Sequence, residues 1–273
     1  MANQNERRNK TRSHYMNSSS TENNQPTLQQ HNVGGSTVFN EDCLTGMKRY
    51  PDNYFDLAVV DPPYGINATN MQMGSAPNRS RTDGYNSGPS ISTAIKTKGR
   101  LNAGSGKLKN RLLNSSLIDW DNEKQSQEYF DELFRVSKNQ IIWGGNYFDL
   151  KTTRCVLCWD KCQPWENFSQ WEMAWTSFDK PAALFRYSNT GGANTEKKIH
   201  PTQKPIALYD WIFRRFSEKG MRILDTHLGS GSSRISADKA GLDFTGFETN
   251  IDYLKNHEER WKAYKSQLRI EGW

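Results

Sequence analysis

Residues 61–64 read Asp-Pro-Pro-Tyr and directly follow the apolar run FDLAVV. Two consecutive prolines lack backbone N–H donors and have restricted φ angles, so a strand cannot continue through them. The segment is therefore either a stiff turn or a rigid support that holds a hydrogen-bond acceptor, Asp61, near an aromatic ring, Tyr64. With Pro62 and Pro63 between them, these residues are the first candidates for catalysis.

A second candidate site lies in the stretch MRILDTHLGSGSSRISADKAGLDFTGFE, which reads as strand, glycine-rich turn, helix, strand and acid. Gly229 and Gly231, on either side of Ser230, allow a ligand to approach the backbone where a Cβ atom would collide with it. Glu248 ends the second strand, where an acid can bind a ribose diol. A lone Gly-x-Gly is weak evidence, but this order of elements predicts a nucleoside cofactor.

The glycine loop also restricts the kind of cofactor. LGSGSS lacks the third glycine of a dinucleotide site and the lysine of a phosphate-binding loop, which argues against dinucleotides and nucleoside triphosphates. S-adenosylmethionine remains, because it needs one acceptor for its ribose diol and one for its ammonium group. Asp225, at the end of MRILD, is the candidate for the ammonium group, and no metal is expected.

Alternating strand-like and helical runs predict an α/β fold with a mostly parallel sheet and helices on both faces. The strand-like runs are STVFN, FDLAVV, QIIWGG, CVLCW, EMAWTSF, AALFRYS, MRILD and LDFTGFE, and the helical runs are EDCLTGMKRY, SQEYFDELFRVSKN, IALYDWIFRRFS, SGSSRISADKAG and IDYLKNHEERWKAYKSQL. If FDLAVV and MRILD are neighbours, both candidate sites open at the same sheet edge, where ligands bind in such folds.

The excess positive charge is confined to one Gly/Ser/Asn-rich segment, residues 67–118. This segment has eight Lys and Arg residues against Asp83 alone, whereas the whole chain has a net charge of only +6. We interpret it as a mobile basic insertion that contacts a phosphate backbone, with an ordinary solvated surface as the alternative. Its basic residues are Arg79, Arg81, Lys96, Lys98, Arg100, Lys107, Lys109 and Arg111.

The remaining composition sets the domain plan. Residues 1–36 are polar and of low complexity, which predicts a disordered tail without the apolar core of a secretory signal. One domain is expected from residues 37–66 and 119–273. Four cysteines do not make a disulfide framework and fit a reducing, intracellular setting. No apolar run approaches the roughly 20 residues of a bilayer span, so no membrane partner is expected.

DPPYGI at 61–66, HPTQKP at 200–205 and DTHLGSGSS at 225–233 carry a family resemblance. The chain resembles, over much of 37–265, the amino-methyltransferases of DNA with β motif order, in which DPPY precedes the glycine loop. The likeness is greatest to small solitary enzymes of phages and mobile elements. It implies a Rossmann-like methyltransferase fold with a seven-stranded sheet and permuted motif order, S-adenosylmethionine as cofactor, and double-stranded DNA as partner in a cytoplasmic, nucleoid-associated setting.

The resemblance also assigns site residues. Catalysis falls on Asp61 and Tyr64, and cofactor binding on Asp225, Gly229, Gly231 and Glu248, with Asp42 facing the adenine and Thr202 and Lys204 near the methionine carboxylate. A simple helix cap is the alternative interpretation of Asp42. For HPTQKP, the alternative is that it only caps the N-terminus of the helix that follows. The family usually has Asp-Pro-Phe or Asp-Pro-Cys where this chain has Asp225-Thr226-His227.

The DPPY motif suits methylation of an exocyclic base amine, whose lone pair is delocalised into the ring. Hydrogen bonds to the Asp61 carboxylate and the rigid Pro62 carbonyl would localise that lone pair, and Tyr64 would face a base flipped out of the duplex. The aspartate form of the motif favours N6 of adenine. Cytosine N4, an RNA substrate and a catalytically silent DNA-binding relative are alternatives, and a homodimer is left open.

Three further patterns have simpler interpretations. Cys155, Cys158 and Cys162 could suggest zinc, but a fourth ligand is not nearby and buried thiols are favoured. His227 is expected to be a packed or capping histidine. The aromatic cluster at 159–178 is expected to be mainly core, with one or two side chains lining a base pocket as the alternative.

The short interval between CVLCWDK and HPTQKP leaves no room for a separate recognition domain of usual size.

Neutralising the six basic residues within 96–111 should weaken DNA binding and reduce its dependence on salt, because each phosphate contact contributes about 0.9 to the slope of log K against log salt. Binding isotherms at several salt concentrations measure this slope. An unchanged slope would instead support the solvated-surface interpretation.

Overall fold

The computed structural model describes residues 35–66, 123–163, 169–189, 194–200 and 202–270. The basic segment 67–118 and most of the predicted tail therefore lie outside the described residues. The elements are β1 (Ser36–Phe39), α1 (Cys43–Met47), β2 (Leu57–Val60), α2 (Gln127–Val136), β3 (Gln140–Trp143), a 3₁₀ turn (Gly145–Tyr147), β4 (Val156–Asp160), β5 (Trp171–Thr176), β6 (Ala183–Arg186), α3 (Ile206–Phe216), β7 (Arg222–Asp225), α4 (Ser232–Lys239), β8 (Asp243–Phe247) and α5 (Ile251–Ile270).

The strands form one sheet in the order β1-β8-β7-β2-β3-β5-β4-β6. Every pair is parallel except the two made by β5, which runs antiparallel to both β3 and β4. The α/β fold and the mostly parallel sheet are thus confirmed. The count of seven strands is wrong, because Ala183–Arg186 pairs in parallel with β4 and extends the sheet by an eighth, outer strand.

The sheet is covered on both faces, as expected. Along β2, Leu57 and Val59 pack with one core cluster that includes residues of α3 and α4, while Ala58 and Val60 pack with a second cluster that includes residues of α1 and α2. This alternation follows from the two-residue period of a strand. A strand buried on both faces has no polar side, which explains why β2 reads as a continuous apolar run.

The central pairing joins β2 to β7 in parallel, with Leu57 opposite Ile223 and Ala58 opposite Leu224. The two candidate segments, which follow these strands, therefore leave the sheet at the same edge. The chain also returns to this edge after the basic segment, where Lys124 forms an isolated antiparallel bridge with Tyr64. No helix in the described part of the chain has the length and apolar composition of a bilayer span.

Candidate active site

Asp61 lies at the centre of a hydrogen-bonded cluster directly after β2. Its Oδ1 accepts a hydrogen bond from the Tyr64 hydroxyl at 2.5 Å, and its Oδ2 accepts one from Lys204 Nζ. Each carboxylate oxygen has a second acceptor position. The acid is thus held at both oxygens by this chain's own residues and keeps capacity for an incoming donor.

Tyr64 is fixed by aromatic packing as well as by Asp61. Its ring stacks on Tyr147, with centroids 4.9 Å apart and planes inclined by 16°, and meets Phe148 edge-on at 6.2 Å. Gly144 has φ +66°, and a Cβ atom there would lie 2.2 Å from Tyr64 Cε1. Burial and the Asp61 charge raise the pKa of Tyr64 well above its usual value, so its hydroxyl stays a neutral donor.

The glycine loop has left-handed φ angles of +51° at Gly229 and +71° at Gly231. The Gly229 N–H donates to Glu248 Oε2 at 2.9 Å, and the Asn250 N–H donates to Glu248 Oε1 at 2.8 Å. A Cβ atom at Gly231 would lie 2.0 Å from His257 Cδ2. Packing inside the protein therefore requires glycine at position 231, and Glu248 is anchored beside the loop.

Asp225 ends β7 and is only 3% exposed. Its Oδ1 accepts the His227 N–H at 3.0 Å, and its Oδ2 accepts the Ser233 hydroxyl at 2.5 Å. Burial raises the pKa of Asp225 to about 7, although these two hydrogen bonds oppose the rise. A neighbouring cation would be strongly stabilised by the ionised form of this acid.

Thr226 and His227, the departures from the family motif, belong to a hydrogen-bonded chain. The Tyr129 hydroxyl lies 2.7 Å from Thr226 Oγ1, which lies 2.9 Å from His227 Nδ1, and His227 Nε2 lies 3.0 Å from Gln125 Nε2. Burial lowers the pKa of His227 to about 4, so its ring is neutral. His227 is a packed histidine, as favoured from the sequence, and polar contacts take the place of the usual apolar packing.

HPTQKP connects the glycine loop to Asp61. His200 meets Tyr253 edge-on at 4.4 Å, and its ring lies 3.5 Å from the position of a Cβ atom on Gly229. The Lys204 carbonyl accepts the Ser232 hydroxyl at 2.8 Å, while the ammonium of the same lysine donates to Asp61. Lys204 therefore joins the two candidate sites, and its place beside a methionine carboxylate stays a prediction.

Three further predicted residues are placed by local contacts. Asp42 caps α1 by accepting the Thr45 N–H at 2.9 Å, so the cap is present and the contact with adenine stays a prediction. Ser230 is buried, and its carbonyl accepts from Arg260 at 2.9 Å. Thr202 Oγ1 lies 3.2 Å from His200 Nδ1, above the loop.

The cysteine and aromatic patterns are also resolved in part. Of the three cysteines favoured as buried thiols only Cys155 is buried, and the expectation is wrong for Cys158, which is half-buried, and for Cys162, which is exposed after β4. In the aromatic cluster Trp159 and Trp175 are core residues, whereas Trp171 is 51% exposed.

Sequence reasoning missed two contacts of the catalytic cluster. Glu172 on β5 lies 3.2 Å from Lys204 Nζ, and Tyr147 stacks on Tyr64. The Gly-Gly pair before Tyr147 was a usable signal, because a positive φ at the end of a strand often marks close packing. Glu172 is far from Lys204 in sequence, and no local pattern around it indicated the contact.

The strand, glycine loop, helix, strand and acid beside DPPY form the arrangement of a Rossmann-like methyltransferase fold. Residues 164–259 match a family model for N6/N4 methyltransferases described as DNA methylase. The type II methyltransferase M2.MboI of Moraxella bovis is 22% identical over 261 residues, covering 86% of this chain and 90% of that protein. M.HpaI of Haemophilus parainfluenzae is 31% identical over 80 residues, which cover 29% of this chain and 26% of that protein.

The chain is also similar in fold to solved structures. The cytosine-N4-specific PvuII DNA methyltransferase has a TM-score of 0.50 at 12% identity, covering 84% of this chain and 88% of that one. The M1.HpyAVI complex with S-adenosylmethionine has a TM-score of 0.47 at 16% identity, covering 82% and 98%. The family-model match and the curated type II methyltransferases support an N6/N4 DNA methyltransferase family, and the resemblance predicted from the motifs is confirmed.

Gly144→Ala should destabilise the protein more than Gly241→Ala, although both glycines have left-handed φ angles of +66° and +67°. The backbone strain of about 1–2 kcal/mol is common to both changes, but the new methyl group at 144 would collide with the Tyr64 ring. At 241 it would meet only the flexible Lys219 side chain, at 3.2 Å. Urea unfolding of the two variants measures the difference, and equal losses would contradict the packing described for Tyr64.

Proposed function

We propose that this chain methylates DNA at the exocyclic N6 of a flipped adenine, with S-adenosylmethionine as the methyl donor. The observation that carries the proposal is the convergence of Asp61 and the glycine loop at one sheet edge, joined by Lys204. A silent binding relative would not need both an intact acceptor cluster and an intact loop. The family match supports DNA as the substrate class.

The residues at the loop fit the cofactor. Glu248, anchored beside Gly229, offers an acceptor for the ribose diol, and buried Asp225 offers one for the ammonium group. We propose that Asp42 contacts the adenine of the cofactor and that Thr202 binds its methionine carboxylate. Lys204 would bind the same carboxylate while keeping its contact with Asp61. When bound, S-adenosylmethionine supplies an electrophilic methyl group on sulfur.

The protein's own contribution is to orient the target amine. Asp61 and the Pro62 carbonyl accept its two N–H groups, and this localises the nitrogen lone pair. The Asp61 carboxylate is already oriented by Tyr64 and Lys204, so little reorganisation accompanies the reaction. Tyr147 supports the Tyr64 ring against which the base would pack. A flipped base costs a few kcal/mol in lost stacking and pairing, which this aromatic contact would offset.

DNA contact is proposed for the basic segment 67–118, because it holds the excess positive charge of the chain and because the chain re-enters the site at Lys124. Since no separate recognition domain fits between β4 and HPTQKP, this segment would contribute to recognition and the target site would be short. The proposal also includes the tail at residues 1–36, the insertion at 67–118 and the domain bounds predicted from the sequence.

Incubation with labelled S-adenosylmethionine and unmethylated DNA, followed by nucleoside analysis, tests the proposal. N6-methyladenine is expected. N4-methylcytosine is the second candidate, favoured by the structural similarity to the cytosine-N4-specific PvuII enzyme, and its appearance would replace adenine as the target. Cofactor binding without a methylated product would favour the silent relative.

Asp61→Ala should reduce methyl transfer at least a thousandfold while leaving cofactor affinity within about twofold, because the change removes an acceptor of the amine and leaves the glycine loop intact. Turnover and calorimetric titration measure the two effects. Asp52→Ala is the matched control, since Asp52 is a 72% exposed acid that pairs with Arg135. Retained turnover in Asp61→Ala would refute the assigned role.

Cofactor affinity should fall about fivefold between pH 7 and pH 6, because a carboxyl with a pKa of about 7 loses its charge as the pH falls below that value, while the α-ammonium of the cofactor stays mostly protonated. Nearby histidines do not titrate in this range, since burial lowers their pKa values to about 3 at His200, 4 at His227 and 3 at His257. Calorimetry across this range measures the slope. The Asp225→Asn variant should bind the cofactor weakly, and its affinity should not depend on pH in this range. A pH dependence that persists in this variant would exclude Asp225 as the ammonium acceptor.

A further inference from the structure

Glu172 extends the catalytic cluster into a chain of four alternating charges. Its Oε2 lies 3.2 Å from Lys204 Nζ, and its Oε1 lies 2.5 Å from Lys161 Nζ. Lys204 in turn donates to Asp61. The order along this chain is carboxylate, ammonium, carboxylate, ammonium, so the four side chains are together neutral.

The Lys204 ammonium is held from three directions. Asp61 and Glu172 provide two carboxylates, and the Trp143 ring centroid lies 5.2 Å from Nζ. Trp143 pairs with Ala174, two residues after Glu172 and therefore on the same face of β5. The indole and the Glu172 carboxylate thus approach the lysine from one side of the sheet. The Lys204 side chain is only 3% exposed, so solvent does little to hold it there.

The two lysines need Glu172 for electrostatic reasons. Lys161 and Lys204 have exposed side-chain fractions of only 4% and 3%, and a buried ammonium without a counter-charge is costly. The two ammonium groups lower the pKa of Glu172 to about 2 against the effect of its own burial. Glu172 is therefore ionised at neutral pH, and each of its oxygens binds one lysine.

We propose that Glu172 is a positioning residue for methyl transfer, which holds the Lys204 ammonium between two carboxylates so that Asp61 remains an effective acceptor for the target amine. The inference rests on the proposed function. Without the Glu172 charge, the ammonium would face Asp61 alone, bind it more tightly and compete with the incoming N–H group. The local charge would also change from neutral to +1.

The first test is Glu172→Gln, which keeps the length and polarity of the side chain and removes its charge. We expect kcat to fall at least tenfold, with the affinity for S-adenosylmethionine changed less than twofold, and Glu172→Asp to recover part of the loss. Glu132→Gln is the matched control, because Glu132 is a carboxylate with 13% of its side chain exposed, paired with Arg135 and in no contact with the cluster. A kcat within twofold of the parent, or equal losses in kcat and cofactor affinity, would overturn the inference.

The second test does not depend on turnover. In urea unfolding, Glu172→Gln and Lys204→Met should be non-additive, and so should Glu172→Gln and Asp61→Asn, because their effects pass through the same ammonium group. If the losses in unfolding free energy from Glu172→Gln and Asp61→Asn are additive in the double mutant, the inference is overturned. This test holds even if Lys204→Met does not fold. If the parent chain gives no methylated nucleoside, the proposed function fails by that result alone, while these cycles still decide whether Glu172 acts on Asp61.

Discussion

The parallel pairing of β2 with β7 is the constraint on which the site depends. It brings the ends of two strands that are 165 residues apart in sequence, at Val60 and Asp225, to one edge of the sheet. The segments that follow cannot continue as strands, one because of its prolines and the other because of its left-handed glycines. Both must therefore turn away from the sheet at the same place, and this brings Asp61 and Asp225 to one edge of the sheet.

HPTQKP makes this shared edge a single site. The Lys204 backbone is tied to the start of α4 through Ser232, and its side chain is tied to Asp61. A displacement of the glycine loop would therefore be transmitted to Asp61 through one residue, Lys204. The reverse also holds, since the ion pairs of Lys204 help to fix the backbone that lies over the loop.

Sequence predicted those parts of the site whose chemistry is local. DPPY and the glycine loop are recognisable because prolines, glycines and flanking strands carry their geometry within a few residues. The helices and strands were also identified, but the outer position of Ala183–Arg186 in the same sheet was not counted, because strand order depends on long-range pairing. Glu172 could not be assigned for the same reason, since Lys204 is distant in sequence, whereas Tyr147 was missed although the Gly-Gly pair before it offered a signal. The cap formed by Asp42 was one of two interpretations that a single pattern allowed.

The bridge between Tyr64 and Lys124 has a consequence for how such a protein can change over time. Both ends of the intervening chain are fixed at the active edge, so the free energy of closing that interval depends only weakly on its length, by about 0.6 kcal/mol for each doubling. Residues can be gained or lost between these anchors without disturbing Asp61 or the sheet. Insertions and deletions in this interval are therefore compatible with an unchanged pairing of β2 with β7.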